Sequence, residues 1–332
     1  MGSKLLTIVI PVYKVEKYIR QCMDSVIVPQ DQMDQLEVIV VNDGTPDNSA
    51  DITKEYAEKY PDTIKVIDKE NGGHGSAWNV GLRLATGQYI RFLDSDDWLS
   101  DLSSFIDRLA TLDVDMVFTH LIKYYDSDGI PEVVSLPLME FDKVLDVDAI
   151  PYDVIKKTPD IYNFHRCTYS TRKLQEDQPI FCERVYYDDG ILYLVPLIKG
   201  KSVCFLDLPL YNYRLSREGQ TMDRSVEKSH AYDYVKVCKG IIEFANGHTD
   251  ISEHQKEQER IILQAYLSYP FRLFTALPYN EFKKATKDWF PIIKNYPDFR
   301  LSRKMQLCQS APSFVSWSLI RLFDKFILRN IG

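Results

Sequence analysis

The sequence predicts an α/β fold, a mainly parallel sheet flanked by helices, followed by a separate helical region. Three observations carry this. Short β-branched apolar runs recur between residues 7 and 93, and stretches with helical spacing separate them. Strands alternating with helices of roughly 10–15 residues imply βαβ units and a parallel sheet. After about residue 226 helical periodicity dominates and strand signals vanish.

The elements follow in order. Thr7 to Val12 is a buried strand ending at a proline-containing turn, and Glu16 to Val28 carries Tyr18, Ile19, Cys22, Met23 and Val26 at helical spacing. Leu36 to Val41 is a second strand, ending at Asn42-Asp43-Gly44. Asp47 or Asn48 caps a helix over Ser49 to Lys59. Ile64 to Ile67 is a third strand. The glycine-rich turn Asn71 to Gly75 then opens a helix over Ser76 to Ala85, and Gln88 to Leu93 is a fourth strand. Residues 102–112 read as helix, Asp115 to Tyr125 as a long strand, and 126–160 as irregular chain. Ile191 to Ile198 is apolar on one face, and Val203 to Leu206 reads as a short strand. In the helical region Pro270 and Pro278 punctuate the helices.

Composition narrows the function. The chain has 332 residues, 45% of them hydrophobic and 27% charged, so it can bury a sizeable core. Its net charge of −8 gives no reason to expect a nucleic-acid surface. The 21 Tyr and 16 Phe suit a sugar-handling cleft, although ordinary core packing accounts for most of them. Cys22, Cys167, Cys182, Cys204, Cys238 and Cys308 are scattered and read as reduced thiols of a cytoplasmic protein. The apolar run after Lys4 is too short for a signal peptide, and no run of about 18 apolar residues predicts a membrane span.

The chemistry begins at Asp94-Ser95-Asp96-Asp97, where three carboxylates fall within four positions after the fourth strand. Like charges this close repel unless a cation holds them. Asp94 and Asp96 form a natural oxygen ligand set for Mn2+ or Mg2+, which points to chemistry on a diphosphate. A solvated turn capping the next helix is the plainer alternative. In open parallel sheets ligands bind beyond the carboxyl ends of the strands. Four such ends bring Pro11-Val12-Tyr13, Asn42-Asp43-Gly44, Lys69-Glu70-Asn71 and Asp94-Ser95-Asp96 to one rim. The turn Asn71 to Gly75 is neither a dinucleotide fingerprint, which would need a third glycine, nor a P-loop.

Four stretches together resemble the inverting glycosyltransferases of family 2, which have the GT-A fold. They are Ile8 to Ile19, Val40 to Ser49, Asn71 to Leu82 and Gly87 to Asp97, in the family's order and near its spacing. The likeness covers about residues 5–215. It implies a nucleotide-sugar-binding half over 1–100 and an acceptor-binding half over 101–225, with the helical region 226–332 outside it. It further implies a nucleotide-sugar donor, with UDP as the nucleotide, and a glycan, glycoprotein or lipid-linked acceptor of a bacterial cell surface. Asp43 resembles the carboxylate that meets the nucleotide base. Pro11, Val12, Tyr13 and Glu16 would line the base and ribose pocket. Asn71, Gly72, Gly73 and His74 would pass close to the nucleotide, and Asp94 and Ser95 would lie near the ribose. Asp94 and Asp96 would hold the metal. Many relatives carry Ala-Arg-Asn where this chain has Ala77-Trp78-Asn79, so Trp78 is not assigned to the site.

A second signal, Val185-Tyr186-Tyr187-Asp188-Asp189-Gly190, resembles the family's aromatic-Glu-Asp motif with Asp188 replacing the Glu. In that pattern Asp189 is the general base. Displacement at an anomeric carbon needs a carboxylate from a different segment than the metal ligands. Capping of the following helix is an alternative role compatible with it. Asp188, and Arg214 and Arg217 of the Tyr-x-Tyr-Arg stretch, are candidates for diphosphate or acceptor contacts, or for surface charges. His120 and His165 show no metal-ligand spacing and read as structural.

The segment Ser313 to Asn330 is amphipathic. Val315, Leu319, Leu322, Phe323, Phe326 and Ile327 fall opposite Arg321, Asp324, Lys325 and Arg329. It could lie on an anionic membrane surface, giving peripheral contact at the inner face of the cell membrane, or pack on the catalytic domain. Two other functions stay open. A sugar-nucleotidyltransferase would need a basic glycine-rich loop where Pro11 to Glu16 stands, and a non-catalytic sugar-binding subunit would have no need of Asp96 and Asp189.

Overall fold

The computed structural model describes residues 4–126, 129–136, 140–157, 161–176, 181–216, 220, 224–310 and 314–329; the side chains of residues 157, 196, 224, 225 and 322–329 are outside that description. Two compact units make up the chain, Met1–Glu218 and Gly219–Gly332.

The first unit is built on one ten-stranded sheet. Its strands are β1 (Leu6–Val12), β2 (Leu36–Asn42), β3 (Ile64–Asp68), β4 (Tyr89–Phe92), β5 (Trp98–Leu99), β6 (Met116–Tyr125), β7 (Pro131–Val134), β8 (Val144–Asp146), β9 (Cys167–Ser170) and β10 (Ser202–Leu215). The main order is β3-β2-β1-β4-β9-β6-β10-β5, with β7 added on β6 and β8 on β10. The first four strands are parallel, as their continuous apolar runs predict. Every residue of β1 and β2 is buried. The helix His74–Leu84 packs across β1 and β2, and only a glycine at 81 permits it, since a Cβ there would stand 2.2 Å from Val9 Cγ1.

The far half of the sheet departs from the expectation. β9 runs antiparallel between β4 and β6, and β10, 14 residues long, is parallel to β6. The expected short strand at 203–206 thus continues past Pro209. The ladder shifts register on both sides of Pro209, which accommodates a residue without an N–H. The stretch read as irregular holds β7, β8 and a short helix, Tyr152–Lys157. The expected helix Glu16 to Val28 is regular only over Ile19–Ser25. At the next helix Asn48 occupies the cap position, but Asp47 Oδ1 accepts the Ser49 N–H at 3.2 Å.

The second unit is helical: Arg224–Ser229, Asp233–Gly247, Glu253–Ala276, Tyr279–Ile293, Arg303–Ser310 and Phe314–Arg329. Ser252 and Gln255 form a reciprocal capping box at the start of the longest helix. Pro270 lies inside that helix rather than ending it, whereas Pro278 is the N-cap of the next. In Phe314–Arg329, Ser316 and Ile320 are buried while Phe314, Val315 and Leu319 are exposed. The side chains of Leu322, Phe323, Asp324, Lys325, Phe326, Ile327 and Arg329, on which the amphipathic reading also rests, lie outside the described residues. Among the described residues no helix is long and apolar enough to cross a membrane.

Candidate active site

The carboxyl ends of β1, β2 and β4 carry the expected polar groups. Pro11 and Val12 close β1 and are buried, while Tyr13 is exposed and Lys14 turns the chain with a φ of 55°. Glu16 accepts from Asn48 Nδ2 at 2.9 Å and so ties this turn to the helix at 49. Asp43, one residue past β2, is buried. Its carboxylate accepts the N–H groups of Gly72 at 2.9 Å and Gly73 at 2.8 Å, and Lys69 Nζ stands 2.5 Å from Oδ1. Asn71 Nδ2 donates to the Asp43 carbonyl at 3.0 Å. The Asn71–Gly73 loop is thus gathered around one carboxylate. Gly73 has a φ of 86°, which favours glycine.

This loop supports the segment that carries Asp188 and Asp189. Arg184 N–H donates to the Gly72 carbonyl at 2.8 Å. A Cβ on Gly75 would meet the Cys182 carbonyl oxygen at 2.3 Å and Asp188 Oδ2 at 2.6 Å, so the missing side chain is the space the segment occupies. Asp188 is buried at the start of a 3-10 turn, Asp188–Tyr193.

His74 joins the two sides. Its Nδ1 lies 3.2 and 3.3 Å from the Asp188 carboxylate oxygens, and its Nε2 lies 3.0 Å from Asp94 Oδ1. With a carboxylate at each nitrogen both must carry protons. Burial opposes the charge, but Asp188 and Asp94 outweigh it and hold the imidazole well above its usual range. Beneath the ring lies Trp78, with centroids 4.1 Å apart, fully buried against Phe92, Phe164 and Phe181. Trp78 is therefore a core aromatic that seats His74.

The acidic turn is braced from β10. Asp97 N–H donates to the Asp94 carbonyl at 3.0 Å, which folds Asp94 back on Asp97 and leaves Asp96 at the corner. Tyr211 Oη accepts the Asp94 N–H at 3.1 Å and donates to Asp97 Oδ2 at 2.8 Å, while Arg214 N–H donates to Asp97 Oδ1 at 2.7 Å. Arg214 Nε donates to the Asp96 carbonyl at 2.9 Å, Nη1 to Asp126 Oδ1 at 2.5 Å, and Nη2 to Gln21 Oε1. Its guanidinium thus serves as a brace under the turn, spent on protein acceptors rather than offered to a ligand. Arg217 lies outside the described residues.

The ligand atoms that converge are those of Asp94, Asp97 and His165, all within 4.8 Å of one another. The expected pair was Asp94 with Asp96. The i to i+3 closure of the turn brings Asp97 beside Asp94. His165, read from sequence as structural, enters from the loop before β9 and lies 71 residues from Asp94 in the chain, a distance no local spacing reveals. Burial holds its imidazole down at about 3, so the ring is neutral. Two carboxylates and a neutral imidazole suit a divalent cation, so the residues fit a metal here.

Asp189 is the half-buried carboxylate of the opposite side. Burial, then the charges of Asp188 and Asp94, raise it to about 7, against a smaller opposing effect of His74. Tyr213, ring centroid 4.4 Å from His165, lies in the same field: burial and then Asp97, Asp94, Asp189 and Asp96 push its hydroxyl up. In the Tyr-x-Tyr-Arg stretch the Tyr211 hydroxyl and the Arg214 backbone N–H hold the Asp97 carboxylate.

A parallel half-sheet with a gathered glycine loop, an acidic turn beyond β4 and a second carboxylate segment define the GT-A class. The Glycosyl transferase family 2 profile matches residues 7–174, half of the chain, and the chain belongs to that family. It is similar to glycosyltransferase GlyA of Streptococcus pneumoniae, 29% identical over 219 residues, which cover 64% of this chain and only 31% of GlyA. In three dimensions it is similar to residues 1–349 of S. aureus TarS in complex with UDP-GlcNAc, with a TM-score of 0.54, 20% identity and coverage of 92% and 91%. It is also similar to the mannosyltransferase PcManGT from Pyrobaculum calidifontis in complex with GDP-Man and Mn2+, with a TM-score of 0.53, 15% identity and coverage of 99% and 81%.

Proposed function

We propose that the chain is a metal-dependent, inverting glycosyltransferase. It transfers the sugar of a UDP-sugar to a hydroxyl of a glycan, glycoprotein or lipid-linked acceptor of the cell surface. The observation that carries this reading is the bridge made by His74, which ties the acidic turn at Asp94 to the segment of Asp188 and Asp189. A donor group and a base group are thereby held at one rim by one side chain. The ligands that TarS and PcManGT bind support the donor class, and the Mn2+ of PcManGT supports the metal.

In this reading Asp43 and the Asn71–Gly73 loop shape the nucleotide pocket together with Pro11, Val12, Tyr13 and Glu16. Asp94 and Asp96 would hold Mn2+ or Mg2+, which would offset the charge that develops on the departing diphosphate. Asp189 takes the proton of the acceptor hydroxyl as its oxygen bonds to the anomeric carbon. The bond from that carbon to the diphosphate oxygen breaks, and its electron pair leaves with the nucleotide. An elevated carboxyl is suited to this role, because a stronger base near neutral pH captures the proton better.

A thermal-shift series of nucleotide sugars with and without Mn2+ tests the reading. The expected result is a Mn2+-dependent rise in melting temperature with at least one UDP-sugar. No rise with any nucleotide sugar would sink it.

A further inference from the structure

We propose that His165 is a direct protein ligand of the divalent cation, sharing it with Asp94. This rests on the metal-dependent reading above and adds a residue that the acidic motif does not contain.

The argument is one of tautomer and unmet need. Asn163 Nδ2 donates to Tyr193 Oη at 3.1 Å, and Asn163 Oδ1 accepts the His165 backbone N–H at 3.0 Å. The amide orientation is fixed by these two bonds. The same Oδ1 also faces His165 Nδ1 in a short contact, so Nδ1 must carry the proton. Among the described residues no acceptor lies within hydrogen-bond reach of Nε2 to hold a second proton, so that atom is left as a bare lone pair. That atom is buried without a hydrogen-bond partner, on a residue only 5% exposed. It stands 4.0 Å from Asp94 Oδ2. A buried acceptor nitrogen that meets no donor is costly, and a cation held beside the Asp94 carboxylate would satisfy it.

The gap is close to the size an ion needs. Neighbouring ligands of an octahedral ion with bonds of about 2.1 Å stand about 3 Å apart, so one ion touches both atoms once the gap closes by about 1 Å. The ring has little freedom to turn away. Its centroid lies 3.9 Å from that of Phe164, 4.7 Å from Tyr211 and 4.4 Å from Tyr213. His74 cannot take this role, because both of its nitrogens already face carboxylates. Asp97 contributes charge to the cluster, with its oxygens already accepting from Tyr211 and Arg214. A nitrogen ligand also has a consequence for selectivity: Mg2+ prefers oxygen alone, so the imidazole should favour Mn2+ over Mg2+.

The test uses the full chain with Mn2+ and UDP, read by pulsed electron paramagnetic resonance. The expected result is nitrogen hyperfine coupling from one imidazole, altered by 15N-histidine labelling, kept in His74→Gln and lost in His165→Gln. Titration of the same proteins should show Mn2+ affinity falling roughly 10- to 100-fold in His165→Gln, with a smaller change for Mg2+. The labelled wild-type spectrum needs no substitution, so it decides even if the His165 variant fails to fold. Mn2+ bound at wild-type affinity with no histidine coupling overturns the His165 assignment and leaves the metal-dependent reading intact. If Mn2+ binds neither alone nor with UDP, both fall.

Discussion

At the turn Asp94 to Asp97 the charges are met by groups placed there for them. Tyr211 and the Arg214 backbone hold Asp97, and His74 holds Asp94. No residue of this turn has a left-handed backbone. The segment 181–189 is built differently. Arg184 and Tyr187 have φ values of 56° and 65°, and Asp189 carries a carboxyl that its surroundings push toward the neutral form. Burial and the neighbouring Asp96 and Asp94 push Asp97 toward the neutral form as well, so the two regions differ in what holds them: fixed donors at the first, left-handed backbone at the second. Strained backbone of this kind is found at functional sites, where the surrounding structure holds it in place.

The largest break in this comparison is Asp189→Asn. Removing a general base should lower kcat by about 10²- to 10⁴-fold. Mn2+-dependent UDP affinity should stay near wild type, whereas Asp96→Ala should weaken it. Wild-type turnover in Asp189→Asn would remove the base assignment. The pH profile carries the same information in the unaltered protein. The base acts without its proton, and its carboxyl is raised to about 7. kcat/KM should therefore climb about tenfold per pH unit on the acid side and level off above about 7. A profile already flat at pH 5 would place the working base elsewhere.

Gly75→Ala attacks the support of the base segment. The new methyl would meet a backbone oxygen, the Cys182 carbonyl, at 2.3 Å, as well as Asp188 Oδ2. Backbone cannot swing aside as a flexible side chain can, so the segment must shift. We expect a loss of about 1–3 kcal/mol in urea unfolding, with kcat falling further than metal affinity. Equal losses of both would mean that the two regions move as one.

Sequence legibility follows the same division. β1, β2, β3 and β4 were readable because each is an apolar run that ends in a polar turn, and the helices between them keep strict spacing. β9 was not, because four residues, Cys167–Ser170, carry too little pattern, and their place between β4 and β6 is a tertiary fact. Pro209 hid the length of β10. Asp43, Asp94 and Asp189 stand in local motifs, and the sequence identified them as candidates. Tyr211, His165 and Asp97 owe their places to contacts with residues far along the chain or to a turn closure, which spacing does not encode.

Tyr211→Phe tests the brace on the acidic side. It removes the hydroxyl that links the Asp94 N–H to the buried Asp97 carboxylate. A buried acceptor that loses a partner costs about 1–2 kcal/mol, to be measured as a shift in urea midpoint at pH 7. Metal affinity should fall and the pH limb should stay near 7. Movement of the limb instead would show that Tyr211 also acts on the base side.

The smallest effect is expected at Arg184→Gly, and its sign is informative. Arg184 is exposed and left-handed, and its backbone N–H is bonded to the Gly72 carbonyl. Glycine keeps that bond and removes the Cβ penalty of roughly 1–2 kcal/mol. It also gives the unfolded chain more freedom, which opposes the gain by about 0.5–1 kcal/mol. The net should be a stabilisation of less than about 1 kcal/mol with unchanged metal affinity. A clear destabilisation would mean that the arginine side chain, rather than the backbone alone, fastens the base segment to the loop around Asp43. The segment would then hold that loop by a side chain as well as by its backbone bond.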